Sequence, residues 1–160
     1  GTHFLQMLHR TEKFPAVILR LFLTYGPGQD TNRFLPQIIR SCLDNSEFPT
    51  STGEQIRDFC YVEDTISAII NALVVSKVEG EVVNVASGEP ISIRAMISKV
   101  CNLTGSGRPQ YGKVLYRPGE NMFLYANISK AKSILKWESL TTLDTGLKKT
   151  IDWFANDCAY

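Results

Sequence analysis

Metal-binding and membrane-spanning patterns are missing from this sequence. Its four cysteines are scattered along the chain: Cys42, Cys60, Cys101 and Cys158. They form no Cys-x-x-Cys pair, and neither of the two histidines, His3 and His9, accompanies them. This spacing argues against a zinc site and favours reduced thiols in a cytoplasmic protein. No apolar run approaches the roughly 18 residues needed for a membrane span, and no leader-like segment precedes the body of the chain.

An excess of charge of either sign is also missing. Seventeen basic and sixteen acidic residues leave a formal net charge of +1 over 160 residues. No overall field therefore attracts nucleic acid or an anionic membrane, and any anionic ligand has to be held by a local group of side chains. The composition is that of a folded soluble protein and indicates no function by itself.

The first third of the chain predicts a helix followed by a buried strand. Helical spacing begins directly after Gly1, and Pro15 ends the predicted helix. Because the first residue is Gly rather than Met, we expect a truncated chain. The run 16–23, apolar except for Arg20, predicts a strand covered on both faces, as in a parallel sheet. The best second strand is 81–86, so the chain has too few strands to build that sheet alone.

Helix-start signals recur further along. Asn32 is expected to cap a helix from Phe34 to Leu43, and Glu63 and Asp64 lie in the first turn of another, where carboxylates suit the positive end of the helix dipole. Another helix is predicted over 93–101.

The last third predicts a loop at 104–109 and a short strand at 114–116. Asn127 is expected to cap a short helix, and Thr141 with Asp144 resembles a capping box that opens the last helix. Alternating helices and strands place the protein in the α/β class.

Three segments carry a more specific pattern. The first, 20–29, contains Arg-x-x-x-x-Tyr-Gly-Pro, and the second, 53–64, contains Gly-x-x-x-Arg-Asp-Phe-x-x-Val-x-Asp. The third begins with Arg-Pro-Gly-Glu at 117–120 and continues with Asn-Ile-Ser-Lys-Ala and Leu-Lys-Trp. In this order the segments resemble the extended short-chain dehydrogenase/reductase family, the NAD-dependent nucleotide-sugar epimerases and dehydratases. The resemblance covers nearly the whole chain.

The resemblance implies the C-terminal portion of such a protein. We expect an α/β fold made of a substrate-binding lobe plus the last strands and helices of a Rossmann-type parallel sheet. Residues 1–31 would end the dinucleotide-binding domain. Residues 32–160 would form mainly the substrate-binding domain, with 63–86 packing back on the Rossmann sheet.

The same resemblance assigns substrate-binding residues. Arg57 and Arg117 would grip the diphosphate, because a planar guanidinium offers paired donors to phosphate oxygens. Glu120 would accept from the ribose hydroxyls, and Asn32, at a helix N-terminus, would contact the substrate phosphate or sugar. The alternative is structural: an internal Arg57–Asp58 ion pair, a surface Arg117 and a solvated Glu120.

For the cofactor, the resemblance suggests that Tyr25 and Pro27 line the nicotinamide end, although Tyr25 packing as a structural aromatic is an equally good interpretation. Glu63 and Asp64 are assigned to helix capping rather than catalysis. No catalytic residue or metal ligand is assigned, because the family's Tyr-x-x-x-Lys and glycine-rich phosphate turn do not occur in the sequence. We therefore expect NAD or NADP in the intact protein, and neither cofactor binding nor activity in this chain alone.

The function implied is binding of a nucleoside-diphosphate sugar within an NAD(P)-dependent epimerase or dehydratase, a homodimer when intact, with no nucleic-acid or membrane partner. Two alternatives stay open: an NAD(P)H-dependent 4-keto-sugar reductase of the abequose-synthase kind, and a non-catalytic sugar-nucleotide-binding module.

Overall fold

The computed structural model describes residues 1–157. Five α-helices and one π-helix alternate with eight strands within that range. The helices are α1 (Thr2–Glu12), α2 (Phe34–Leu43), α3 (Val62–Val74), α4 (Ile93–Thr104), the π-helix (Ala131–Leu135) and α5 (Leu143–Asp157). The strands are β1 (Ile18–Leu21), β2 (Leu23–Tyr25), β3 (Glu47–Thr50), β4 (Ile56–Tyr61), β5 (Val82–Val85), β6 (Pro90–Ser92), β7 (Arg108–Tyr111) and β8 (Phe123–Leu124).

Parallel pairing dominates the strands. β1 pairs with β5, β2 with β4, β3 with β7 and β4 with β8, all in parallel. Only β6 pairs antiparallel among these strands, against β4. The predicted α/β class is confirmed, and the two predicted strand segments 16–23 and 81–86 pair with each other in parallel through β1 and β5. Of the six helices described here, none is both long and apolar enough to cross a membrane.

The apolar run 16–23 differs from the prediction of one strand buried on both faces. It breaks at Phe22, whose N–H still donates to the Val85 carbonyl at 3.0 Å, and the chain then passes from β1 to β2. Leu21 is 49% exposed and Leu23 40% exposed. Within residues 1–157 each of the strands β1 and β2 has a single parallel neighbour, which leaves one edge unpaired, and the exposure of Leu21 and Leu23 shows that the run is not buried on both faces.

Two hydrophobic cores hold the elements together. The larger packs α2, α4 and α5 around β4, with fully buried Ile39, Met96 and Phe154 at its centre. The smaller packs β5 against α3 and the π-helix, and includes Trp137. Trp137 Nε1 donates to the Asp64 carbonyl at 3.1 Å, which ties the end of the π-helix to α3.

Several local predictions were wrong by small shifts. Asn32 does not cap α2, because the N-cap position is Arg33 and no side chain caps it. α5 is capped by Thr142, whose Oγ1 accepts from the Thr145 N–H at 3.3 Å, one residue after the predicted Thr141.

The strand assignment near residue 110 was also wrong. The strand lies at 108–111, partly inside the predicted loop, and 114–116 is not a strand. Asn127 Oδ1 does accept from the Ser129 N–H at 2.9 Å as the chain enters the π-helix region.

Candidate substrate-binding site

Arg57 and Glu120 form the centre of the candidate site. Arg57 lies in β4, and its Nη2 donates to Glu120 Oε1 at 2.5 Å while its Nη1 donates to the Ile56 carbonyl at 2.9 Å. The two side chains are 12% and 23% exposed. β8 follows Glu120 closely and pairs with Ile56 and Arg57, which explains why residues 63 positions apart meet. The structure thus joins the second and third sequence motifs at one ion pair.

Arg117 and Glu120 close a tight turn. The Glu120 N–H donates to the Arg117 carbonyl at 3.0 Å, and Gly119 has a φ of 76°, in the left-handed region that favours glycine. Arg117 itself is exposed. The turn therefore carries one acidic side chain directed at Arg57 and one exposed basic side chain three residues earlier.

Tyr116 connects the two segments that carry the arginines, and the sequence analysis missed it. Its hydroxyl accepts from the Glu54 N–H at 3.1 Å and also contacts Thr52 Oγ1. Its place directly before the Arg-Pro-Gly-Glu motif is the only signal that the sequence offered. Tyr116 holds the loop before β4 against the loop that leads to Arg117.

Asp58 does not pair with Arg57, so the alternative of an internal Arg57–Asp58 ion pair was wrong. Asp58 is fully buried, and its carboxylate accepts from the Ser87 N–H and Ser87 hydroxyl, both at 2.7 Å, and from the Gly88 N–H at 3.0 Å. This carboxylate fixes the loop after β5 against β4. It leaves Arg57 free to face Glu120.

The carboxylates at the start of α3 also have other partners than the predicted helix cap. Asp64 is buried and accepts from the Ser139 hydroxyl at 2.8 Å and the Thr141 N–H at 3.0 Å. Glu63 pairs with Lys149 at 3.1 Å. Both residues lie in the first turn of α3 as predicted, but their oxygens bind α5 and the segment before it.

Tyr25 is buried in the larger core. It is 2% exposed, packs edge-on against Phe59 and Tyr61, and donates its hydroxyl to the Leu143 carbonyl at 3.4 Å. Burial raises the pKa of the Tyr25 phenol above its ordinary value. This placement favours the structural interpretation of the Tyr25 side chain, and a cofactor contact there would have to come from the backbone or from its neighbours.

The loop after Tyr25 contains an acceptor without a partner. Gln29 Nε2 donates to the Thr24 carbonyl at 2.9 Å, whereas its Oε1 is buried and has no hydrogen-bond partner among residues 1–157. Pro27 is half-buried beside it. A buried amide oxygen that stays unpaired costs free energy, so this loop fits a ligand that supplies a donor.

Asn32 makes its described hydrogen bonds within its own loop and the start of α2. It is exposed at the start of α2, and its carbonyl accepts from Gln37 Nε2 at 3.1 Å. Within the described part of the chain, no hydrogen bond or ion pair joins Asn32 to Arg57, Arg117 or Glu120.

A metal site is not formed by the residues that the structure describes, because no three His, Cys, Asp or Glu side chains among them lie close enough together to bind a metal ion.

The pairing of parallel strands through connecting helices defines an α/β fold of Rossmann type. Solved structures bear this out: a UDP-glucose 4-epimerase from Thermotoga maritima, determined with UDP-glucose, superposes with a TM-score of 0.90 at 26% identity, over 98% of this chain and 51% of that one. A UDP-glucuronic acid 4-epimerase from Bacillus cereus, determined with UDP-glucuronic acid and NAD, superposes at 0.86 with 32% identity, over 96% and 49%.

Sequence comparison agrees with the fold. Residues 1–86 match the model of the NAD dependent epimerase/dehydratase family, and the chain belongs to that family. A dTDP-glucose 4,6-dehydratase of Xanthomonas campestris pv. campestris is 27% identical over 162 aligned positions, which cover 95% of this chain and 46% of that protein. The chain spans about half the length of the curated relatives it matches.

Proposed function

We propose that this chain binds the nucleoside diphosphate of a nucleotide sugar, as part of an NAD(P)-dependent epimerase or dehydratase. The observation that carries the proposal is the contact between Arg57 and the turn 117–120. A half-buried guanidinium beside a turn with a second, exposed guanidinium suits two neighbouring phosphates, since each arginine offers a fork of donors.

Glu120 has two roles in this proposal. Without ligand it accepts from Arg57, which keeps the half-buried guanidinium paired. With ligand, phosphate oxygens take its place at Arg57, and the carboxylate accepts from the ribose hydroxyls. Asn32 contacts the substrate phosphate or sugar from the start of α2.

The cofactor of the intact protein is NAD or NADP, which when bound exchanges hydride with the sugar. The residues of this chain that face it are Pro27 and the backbone of the loop 25–30, with Gln29 Oε1 as a hydrogen-bond acceptor. Residues 1–31 belong with the dinucleotide-binding domain and 32–160 mainly with the substrate-binding domain, with 63–86 against the sheet. By holding the diphosphate, the chain orients the sugar for the reaction, and alone it turns over no nucleotide sugar.

Calorimetry with UDP-glucose and dTDP-glucose tests the binding proposal. We expect Arg57→Ala and Arg117→Ala each to weaken binding by about 2–4 kcal/mol, because each removes a charge-assisted contact with phosphate. Arg57→Lys should restore only part of the loss, since an ammonium keeps the charge without the fork. Arg108→Ala, at an arginine whose side chain is 61% exposed in β7, is the matched control and should bind as the wild type does. Unchanged affinity in both alanine variants would remove these arginines from the site.

The reading frame around this sequence distinguishes the enzyme from a binding module. Upstream sequence with a glycine-rich turn and Tyr-x-x-x-Lys supports an epimerase, dehydratase or reductase, and product analysis of the intact protein then separates these. A genuine start just before Gly1 supports the non-catalytic module.

A further inference from the structure

Two thiols touch in the larger core. Cys42 Sγ, in the last turn of α2, lies 3.6 Å from Cys101 Sγ in α4. The two residues are 59 positions apart in sequence. Cys42 is buried and Cys101 is half-buried, so Cys101 is the more exposed residue of the pair.

The thiols lie where two helix–strand units are joined. α2 leads into β3 and α4 leads into β7, and these two strands pair in parallel. The surroundings are tight, because the Ser106 hydroxyl donates to the Cys42 carbonyl at 2.5 Å and a side chain at Gly107 would overlap Cys42 Sγ. The segment 106–107, which follows α4, therefore packs tightly against Cys42.

We propose that Cys42 and Cys101 form an oxidation site, a dithiol that a low-molecular-weight disulfide converts into a cross-link between α2 and α4. Cys101, the more accessible thiol, attacks one sulfur of the reagent disulfide as a thiolate and releases one thiol. Cys42 then loses its proton to solvent and attacks Cys101 Sγ, releasing the second thiol. Two protein thiols are oxidised and one reagent disulfide is reduced.

The second step depends on the buried thiol. Burial raises the pKa of the Cys42 thiol and so lowers its thiolate fraction, while the contact with Cys101 gives the attack its proximity. Beyond β3 the chain runs to Arg57, and beyond β7 to Arg117. The cross-link would thus join the two helices that precede, in the sequence, the segments carrying Arg57 and Arg117.

The test treats the folded chain with oxidised glutathione and maps its thiols by mass spectrometry. We expect loss of two hydrogens, a peptide linked through Cys42 and Cys101, reversal by dithiothreitol, and a higher urea midpoint for the oxidised form. Cys101→Ala should abolish the link. Cys42→Ala should instead accumulate a mixed disulfide with glutathione at Cys101, because the resolving thiol is gone.

Cys60→Ala is the matched control. Cys60 is also buried, but its Sγ contacts the Tyr61 carbonyl, so this variant should still form the link. The proposal is overturned if the folded wild type keeps both thiols free while the urea-unfolded chain cross-links. It is equally overturned if Cys42 or Cys101 links instead to Cys60 or Cys158, or if the oxidised form has an unchanged or lower urea midpoint.

Discussion

Arg57 and Asp58 are neighbours in sequence but bind partners on opposite sides of β4. Successive side chains of a strand point to opposite faces, so Arg57 reaches Glu120 while Asp58 reaches Ser87 and Gly88. The same geometry explains why an ion pair between the two was not available. We propose that Arg57 meets the ligand, whereas Asp58 holds the loop after β5 against β4.

Asp58 should be costly to replace even by its isostere. In Asp58→Asn an amide NH₂ would face N–H or O–H donors that now bind carboxylate oxygens, and we expect a loss of about 2–3 kcal/mol in the free energy of unfolding. Urea denaturation measures it. Asp152→Asn, at an exposed position of α5, should change stability by less than about 0.5 kcal/mol. Equal stability of the two variants would show that the buried carboxylate does not hold the loop at Ser87.

At this scale the sequence predicted residue types better than partners. The motifs drew attention to Arg57, Arg117 and Glu120, but nothing in them indicated that Asp64 would bind the segment 139–141. The capping role of Asp64 was predicted only from the favourable interaction of a carboxylate with the positive end of the helix dipole. A contact across 75 residues depends on how α3 and α5 pack, which a local rule does not contain.

α5 is positioned against the site-bearing sheet by a close approach at Gly146. A methyl group there would overlap the Tyr25 hydroxyl and lie 3.0 Å from Tyr25 Cζ and Tyr61 Cδ2. Glycine inside a helix ordinarily costs up to about 1 kcal/mol relative to alanine. At Gly146 this unfavourable contribution is accepted because only a residue without a side chain lets α5 pack this closely on Tyr25 and Tyr61.

Gly146→Ala should therefore destabilise the protein by about 1–3 kcal/mol, against the usual helical preference for alanine. In the Tyr25→Phe background the same substitution should cost less than half as much, because the overlapping hydroxyl is gone. Thermal or urea unfolding of the four proteins of this double-mutant cycle measures the coupling. Lys148→Ala, exposed in the same helix, is the control. A stabilising effect of Gly146→Ala in the wild-type background would contradict the close approach.

Elements with their own periodicity were predictable, and elements made by distant pairing were not. The spacing of apolar residues located α1 to α4 within a few residues. β7 was missed because its Arg-Pro-Gln-Tyr sequence has no strand pattern, and it is extended because β3 pairs with it. Similarly, the run 16–23 contains no signal for the break at Phe22, which arises because β1 and β2 have different partners.

Apolar surface is exposed on the outer elements of the molecule. α1 exposes Phe4 and Met7, and α3 exposes an apolar stripe. The stripe is formed by five residues: Ile66, Ile69, Ile70, Leu73 and Val74. Such continuous apolar faces and a strand with one free edge tend to find partners.

We expect the 160-residue chain either to self-associate or to let its N-terminal segment detach. The region 84–154 should stay the better ordered part, since α4, α5 and the π-helix contribute fully buried side chains to the two cores, whereas α1 has no buried residue. Light scattering reports association, and hydrogen exchange compares protection of 17–22 with that of the later region. A monodisperse monomer in which both regions are equally protected would contradict this expectation.

The central claim for the whole molecule is that β4, the turn 117–120 and β8 together bind a nucleotide sugar. Hydrogen exchange with and without UDP-glucose or dTDP-glucose tests it most directly, because it locates the ligand without requiring activity. We predict that a nucleotide sugar slows exchange in 53–58 and 117–124 of the wild type and leaves both segments unchanged in Arg57→Ala. No change in either segment at saturating ligand, or protection confined to other parts of the chain, would contradict the claim.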